Sequence, residues 1–384
     1  MNAELLFERA HLVLAGEVVR GTLVAARGRI VAIDTGGTSV RTAADIEGDL
    51  LLPGLVELHT DNFERHLMPR PKVRWPALSA LCSHDAEVAA AGITTVFDAL
   101  GVGDSDPEAM RGQSMRPVLA AFDRADADGM LRAEHRLHVR CELPAPNMAE
   151  LFDAVAGDPR VGLISLMDHT PGQRQWQDIE QARIYYCGKK GWSNAQFDAQ
   201  AARERELQAR HARPNRCAVV AYARAQGIVL ASHDDTLPSH VGEAQADGVA
   251  IAEFPTRFEA AAAARRAGMA VVMGAPNVVR GGSHSGNVAA IELARAGLLD
   301  ALSSDYVPAS LLLAALRLAD DAGFSLPQAI ATVSAQPACA AGLDDRGEIA
   351  PGKRADLVQV RLVEAAGRKQ PVVRAVWREG QRVV

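Results

Sequence analysis

Side chains that can bind a metal ion stand at the ends of apolar runs in this sequence. One run, "GLVELHTD", ends in a histidine and an aspartate two residues apart, and alternate residues of a strand point to the same face. The candidate ligands are His59, Asp61, Glu142, His169, His233 and Asp305. Imidazole and carboxylate groups without thiolate suit zinc, manganese or iron. The pattern predicts a site for one or two divalent cations, with zinc as the expected metal.

Other polar residues follow the same runs, and each has an ordinary structural interpretation. A buried histidine is commonly a packed and hydrogen-bonded residue, and an aspartate after a strand is commonly the N-cap of the next helix. We expect that role for Asp98 and Asp234. The remaining polar residues at the run ends are Arg140, Asp168, Asp235, Glu253, Asn277, Ser303 and Ser304. Their joint occurrence argues for a functional site rather than for packing alone.

Basic residues cluster in two segments that follow apolar runs. The first segment contributes Arg70, Lys72 and Arg74, and the second is "NVVRGGSHSGN" at 277–287. In the second segment the candidate substrate-binding residues are Asn277, Arg280, Ser283 and His284. Backbone N–H groups of a glycine-rich turn before a helix bind phosphate oxygens well, although this loop lacks the GK[ST] of a P-loop. The two segments predict an anionic substrate.

These residues need a scaffold that brings the ends of many strands together. Eight short β-branched runs alternate with helical stretches over the central part of the chain, and the helical stretches include 84–91, 217–226, 256–267, 287–297 and 309–322. Such alternation indicates parallel strands with right-handed crossovers. We predict an α/β fold with a (β/α)8 TIM-type barrel, whose sites form at the carboxyl ends of the strands. A doubly wound open sheet is the alternative, and no GxGxxG supports it.

The two ends of the chain have a different pattern, with short strands and glycine turns. We expect residues 1–52 and 346–384 to form one small β-sandwich domain beside a catalytic barrel at 53–345; two unrelated terminal hairpins are the alternative. The long polar segment 170–215 is interpreted as a lid that would carry Lys189, or as a solvated helical insertion.

Composition indicates which partners and which cellular compartment to expect. The formal net charge of −6 argues against nucleic acid, and no apolar run is long enough for a membrane helix. The five cysteines are scattered without a CxxC pair, which is typical of a protein in the reducing cytoplasm.

Several of these segments resemble the amidohydrolase superfamily of metal-dependent barrel hydrolases. "LLPGLVELHTD" resembles its first metal motif, "GEIAPGKRADLVQV" its C-terminal return, and "SSDY" its strand-eight aspartate. A closer similarity is to the phosphonate-utilisation branch, the α-D-ribose 1-methylphosphonate 5-triphosphate diphosphatases. It rests on "HTDNFERHLMPRPKVRWP", "AAGITTVFDAL", "ASHDDTLPSHV", "IAEFPT", "MGAPNVVRGGSHSGN" and "LSSDYVPASLL". The resemblance implies a small phosphorylated ribose-phosphonate substrate, hydrolysis of its 5-triphosphate and release of pyrophosphate.

The resemblance also implies roles for single residues. Asp61 departs from the His-x-His of most of the superfamily, and no lysine in "VGLISLMDH" could form the carboxylated bridge found in many members. Glu142 is the expected replacement bridge, His233 matches the strand-five ligand, and Asp305 matches the metal-binding general base. Glu253 ends the sixth of the eight predicted barrel strands, where the superfamily has a metal-binding histidine. His169 is a candidate to supply the missing ligand.

Two other functions stay open at the level of the sequence. The same barrel could hydrolyse a cyclic amide or deaminate a small molecule, although the basic loops argue against a neutral substrate. A non-catalytic, metal-binding subunit of a phosphonate-processing complex is the second alternative. Dimers are frequent in this superfamily, so a homodimer is an alternative to a monomer.

Overall fold

The small sheet is built from both ends of the chain. The computed structural model describes residues 4–35, 44–46, 48–70, 73–104, 110–283 and 286–384. The N-terminal strands β1 to β5 are Leu5–Val13, Val18–Ala26, Arg29–Asp34, Ala44–Asp45 and Leu50–Pro53. The C-terminal strands β14 to β16 are Leu357–Ala365, Arg368–Arg378 and Gln381–Arg382. They form one mixed sheet in the order β16-β15-β14-β5-β1-β2-β3, with β4 paired to β1.

A second sheet contains the eight central strands. Strands β6 to β13 are Leu55–Thr60, Ile93–Val102, Glu134–Glu142, Val161–Met167, Val229–His233, Ile251–Glu253, Ala270–Gly274 and Ala301–Ser303. They are hydrogen-bonded in chain order from β6 to β13, and Thr60 at the end of β6 bridges in parallel to Asp305 after β13. All six residues of β6 are buried, as expected of a strand covered on both faces. The predicted (β/α)8 barrel is confirmed.

Helices connect and cover these strands. Helices α1 to α6 are Asn62–Leu67, Ala77–Ala90, Met110–Ala127, Met148–Asp153, Ile179–Lys190 and Asn194–Gln226. Helices α7 to α13 are Pro238–Ala246, Phe258–Arg266, Ala275–Arg280, Ala290–Arg295, Ser310–Asp321, Leu326–Ala331 and Ala335–Ala340. The helical stretches expected from the sequence coincide with α2, the end of α6, α8, α10 and α11. Among the helices of the described residues, none has the length and hydrophobicity needed to cross a membrane.

The chain separates into two compact units. The first consists of Met1–Asp98, Asp123–Arg136 and Met273–Val384, and the second of Ala99–Phe122 and Leu137–Val272. The small sheet lies in the first unit, where the Phe7 and Trp377 rings meet edge to face with centroids 4.9 Å apart. This contact joins the first strand of the chain to β15, so the two ends of the chain share one core.

The segment 170–215 has a small core of its own within the second unit. Trp176, Ala182, Phe197 and Ala201 are buried together, and the Tyr186 ring packs near Trp176, Trp192 and Phe197. The Asp178 carboxylate caps α5 and Ser193 forms a capping box on α6. The segment is therefore folded as a helical hairpin, and its closure as a lid stays a prediction.

Candidate metal centres

The first cluster of candidate ligands lies in the first unit and contains His59, Asp61 and Asp305. One ligand atom of each lies within 4.8 Å of the others, and His59 Nε2 is 3.8 Å from Asp61 Oδ1. His59 is buried in β6, whereas the Asp61 side chain is 32% exposed just beyond the strand. We call this group the first ligand set. The imidazole is therefore buried, and the carboxylate beside it is partly exposed to solvent.

Backbone hydrogen bonds fix the spacing within the first ligand set. The Asp61 N–H donates to the Asp305 carbonyl at 2.8 Å, and the Asp305 N–H donates to the His59 carbonyl at 3.1 Å. Asp305 has φ of 55°, a left-handed conformation that costs energy for most residues and that aspartate tolerates better than most. The strained residue is held by the bonds on both sides of it, which places its carboxylate beside Asp61.

Glu57 in β6 supports the same arrangement and is not among the residues predicted for the site. Its Oε1 accepts the His59 N–H at 2.7 Å, and its Oε2 accepts the Ser304 N–H at 2.6 Å. Complete burial raises the pKa of Glu57 to about 7. The signal was present in the sequence, because Glu57 precedes His59 by two residues and therefore lies on the same face of the strand.

The second cluster lies in the second unit and contains His169, His233 and Asp234. His169 Nε2 is 3.7 Å from Asp234 Oδ2, and His233 Nε2 is 3.5 Å from the same oxygen. Asp234 also has a left-handed φ, of 58°, and its N–H donates to the Glu253 carbonyl at 2.9 Å. We call this group the second ligand set. It brings together two residues that the sequence predicted as ligands and one that it did not.

Carboxylates orient both histidines of the second ligand set. Glu142 Oε2 lies 2.5 Å from His169 Nδ1, and Glu253 Oε2 lies 2.6 Å from His233 Nδ1. Because an ionised carboxylate only accepts, each Nδ1 carries a hydrogen, and Nε2 is the nitrogen of each ring that faces Asp234. Burial lowers the pKa of His169, but the Glu142 charge outweighs it and the net shift is upward. Carboxylate–histidine pairs of this kind are typical of metal-binding histidines.

The spacing of the ligand atoms fits a cation in both sets. Two ligands about 2.1 Å from a tetrahedral ion are about 3.4 Å apart. The separations of 3.5, 3.7 and 3.8 Å are close to that spacing, and they are too long for hydrogen bonds. Nitrogen and carboxylate oxygen together suit zinc, manganese or iron. The residues present therefore fit divalent cations.

The expectation that Asp98 and Asp234 cap helices is wrong. Asp98 lies inside β7 and accepts hydrogen bonds from two histidines, and the N-cap of α7 is Leu237 rather than Asp234. Both errors arise because a strand–loop–helix pattern cannot show where the strand ends or how long the loop is. The pair "HDD" was the available signal for Asp234.

The predicted basic residues lie in several places. Arg70 and Arg74 are exposed, and the Val73 N–H donates to the Arg70 carbonyl at 3.0 Å. Lys189 on α5 lies over the Tyr185 ring and donates to its hydroxyl at 2.9 Å. The predicted residues Lys72 and His284 lie outside the described residues.

The loop after β12 is organised by its own hydrogen bonds. Asn277 Oδ1 accepts the Ala290 N–H at 2.9 Å, and the N–H groups of Gly281 and Gly282 donate to carbonyls of α9. Arg280 is exposed at the end of α9, and Ser283 is partly buried after it. The Asn277 side chain and two of the glycine N–H groups therefore serve the loop itself, and Arg280 is the basic side chain it presents to solvent.

Comparisons with known proteins identify the family of this chain. The model of the amidohydrolase family (Amidohydro_3) matches residues 199–384. The alpha-D-ribose 1-methylphosphonate 5-triphosphate diphosphatase of Escherichia coli is 50% identical over 383 residues, covering 99% of this chain and 100% of that protein.

Solved structures share the fold at much lower identity. An N-acetyl-D-glucosamine-6-phosphate deacetylase from Mycobacterium smegmatis superposes with a TM-score of 0.64 at 17% identity, over 99% of this chain and 100% of that one. Molinate hydrolase superposes with a TM-score of 0.65 at 13% identity, over 99% and 94%. At such identity these likenesses bear on the fold alone, whereas the E. coli relative bears on the family. The chain belongs to the amidohydrolase family, in the branch that includes the E. coli alpha-D-ribose 1-methylphosphonate 5-triphosphate diphosphatase.

Proposed function

We propose that this chain hydrolyses the 5-triphosphate of α-D-ribose 1-methylphosphonate 5-triphosphate and releases pyrophosphate. The observation that carries the proposal is the 50% identity over 383 residues with the E. coli diphosphatase. The two ligand sets support it, because hydrolysis of a polyphosphate requires cations near a highly charged and unreactive substrate.

The ligand assignment follows the contacts within each unit. His59, Asp61 and Asp305 would hold a cation in the first ligand set, and His169 and His233 would hold one in the second. To these we add Asp234, because both Nε2 atoms face its Oδ2. Glu142 was expected to be a bridging ligand, and its contact with His169 Nδ1 favours an orienting role. Zinc is the proposed metal, since the donors are imidazole and carboxylate.

Asp305 is the proposed general base. A bound divalent cation would neutralise phosphate charge and lower the pKa of water toward neutrality. Asp305 would take the proton from the attacking water, and its backbone is held in place by the hydrogen bonds to the backbones of His59 and Asp61.

The basic residues would bind the phosphate chain. Arg70, Lys72, Arg74, Arg280 and Lys189 are the proposed contacts, because guanidinium and ammonium groups bind phosphate oxygens by charge-assisted hydrogen bonds. Pyrophosphate leaves as an anion, so electrostatic stabilisation matters more than a strong general acid.

The domain boundaries, the cellular compartment, the lid and the assembly are also proposals. The mixed sheet from both ends supports a small β domain at 1–52 and 346–384 beside a barrel at 53–345. The five cysteines, none in a disulfide, support a reducing cytoplasm. The helical hairpin within 170–215 is the proposed lid, and a homodimer is the proposed assembly.

The test is a pair of assays on the purified chain with added Zn²⁺. Pyrophosphate release is measured from a ribose 5-triphosphate compound, ring opening is measured with cyclic amide substrates, and ammonia release is measured with amine substrates. We expect pyrophosphate alone, lost after EDTA treatment and restored by Zn²⁺. Ring opening or ammonia without pyrophosphate would indicate an amidohydrolase or a deaminase instead. None of these products from a protein that still binds metal would indicate a non-catalytic subunit.

A further inference from the structure

A buried chain of polar side chains lies in the first unit, outside both ligand sets. His84 on α2, Asp98 in β7 and His135 in β8 are at most 5% exposed. His84 Nε2 is 2.7 Å from Asp98 Oδ1, and His135 Nδ1 is 2.7 Å from Asp98 Oδ2. Three such groups buried together need a function or a strong structural reason, because burying them without partners is costly.

Asn62, the residue after Asp61, determines the direction of the hydrogen bonds in this chain. Arg65 donates to Asn62 Oδ1 at 3.1 Å, and Asn62 Nδ2 donates to Glu87 Oε2 at 3.0 Å. Arginine only donates and an ionised carboxylate only accepts, so these two contacts fix the orientation of the amide.

The fixed amide sets the tautomer of His84. Asn62 Nδ2 is 3.1 Å from His84 Nδ1 and is a donor, so His84 Nδ1 must accept. The remaining hydrogen of the neutral ring is on Nε2 and is donated to Asp98. His84 is therefore a neutral ring with its hydrogen on Nε2.

The other end of the chain is a cation. His135 has Asp98 on Nδ1 and Asp85 on Nε2, the latter at 3.3 Å, so both nitrogens donate. Asp85 also accepts the Arg132 guanidinium at 3.0 Å and the Ala133 N–H at 2.9 Å. Although burial lowers it, the two carboxylates raise the pKa of His135 to about 9.

The same three groups are close enough to be considered a metal site, with ligand atoms within 4.8 Å. The derived hydrogen positions argue against a metal, because His84 Nε2 and His135 Nδ1 both direct a hydrogen at Asp98. We propose that Asn62, His84, Asp98 and His135 form a hydrogen-bond chain of fixed direction that positions the backbone carrying Asp61. Its link to catalysis rests on the proposed function, since it assumes that Asp61 is a metal ligand.

The route to Asp61 is short. Asn62 is fully buried, is the first residue of α1, and has its N–H directed at Thr60 Oγ1 at 3.3 Å. Holding the Asn62 side chain through His84 and Glu87 therefore fixes the peptide between Asp61 and Asn62. The Asp61 carboxylate is attached to that backbone through Cα and Cβ, so a shift of the peptide would move the carboxylate.

The first test uses the unaltered protein. Imidazole ¹⁵N–¹H correlation spectra are recorded with Zn²⁺ and after EDTA treatment, and the rings are assigned with His84→Gln and His135→Gln variants. We expect His84 as the neutral Nε2–H tautomer and His135 as an imidazolium at pH 7.5, both unchanged by the metal. Another tautomer for His84, a neutral His135, or loss of the Nε2–H or Nδ1–H signal on adding Zn²⁺ would overturn the proposal.

The second test measures positioning by Zn²⁺ affinity, using competition with a chelating indicator. His84→Asn keeps an acceptor toward Asn62, whereas His84→Leu does not, and both lose the donor to Asp98. We expect about tenfold weaker binding for His84→Leu, as is typical for loss of a group that orients a ligand, and a smaller loss for His84→Asn, which keeps one of the two contacts of His84. Equal affinities for the two variants would overturn the positioning role.

The two tests separate this proposal from the proposed function. The spectra decide the direction of the chain even if the protein hydrolyses no triphosphate. A failed pyrophosphate assay together with the expected spectra would refute the proposed function alone.

Discussion

The stability of the protein should fall with rising pH because of His135. Its two carboxylate partners, Asp98 and Asp85, raise its pKa from 6.5 to about 9 in the folded protein. Between these values the folded state binds a proton that the unfolded state lacks. The stabilisation is fully present below pH 6.5 and disappears as the pH rises through 9. At about 1.4 kcal/mol per pH unit, the loss amounts to about 3 kcal/mol.

The assay is urea unfolding followed by circular dichroism between pH 6 and 9.5 at constant ionic strength. A suitable control is the double variant Asp98→Asn/His135→Gln, which keeps polar groups of similar size without the buried charge pair of Asp98 and His135. Other groups that titrate in this range, such as Glu57, contribute equally to both proteins. Most of the about 3 kcal/mol should therefore appear as a difference between the two curves.

If the wild type and the double variant lose stability in parallel from pH 6 to 9.5, His135 is not a buried cation. The charges that face it are Asp98, Asp85 and, through Asp85, Arg132, and the neutral His84 ring packs against it with centroids 5.7 Å apart. A parallel decline would mean that these groups do not hold the proton.

Three further substitutions test the site and the scaffold. Asp305→Asn should fold and bind metal yet release pyrophosphate at least about 100-fold more slowly, and a near wild-type rate would show that Asp305 is not the base. Arg280→Ala should raise KM for the triphosphate with little change in thermal stability, and an unchanged kcat/KM would remove this loop from the site. Gly54→Ala should destabilise the protein by about 1–3 kcal/mol, measured by urea unfolding, because an added Cβ would lie 2.8 Å from Asp356 Cβ. Gly157→Ala is its control, since no atom lies within 4 Å of an added Cβ there, and an equal effect of both would contradict the crowding argument.

The sequence by itself determined the barrel and the order of its strands. Strand periodicity and the alternation of strands with helices are local properties, so they can be read without knowing the partners of any residue. The same locality placed His59 and Asp61 on one face at the end of β6 and Asp305 after β13. These residues were identifiable because a barrel brings the carboxyl ends of its strands to one end.

Only the tertiary structure decided which polar groups touch. Glu253 occupies the position where the family has a histidine, and its carboxylate orients His233. Asp98 joins two histidines rather than capping a helix. These contacts join residues that are 14 to 37 positions apart in the chain. A sequence shows that a carboxylate is present but not which imidazole its oxygens reach. That choice depends on long-range packing, and it separates a metal ligand from the residue that holds the ligand in place.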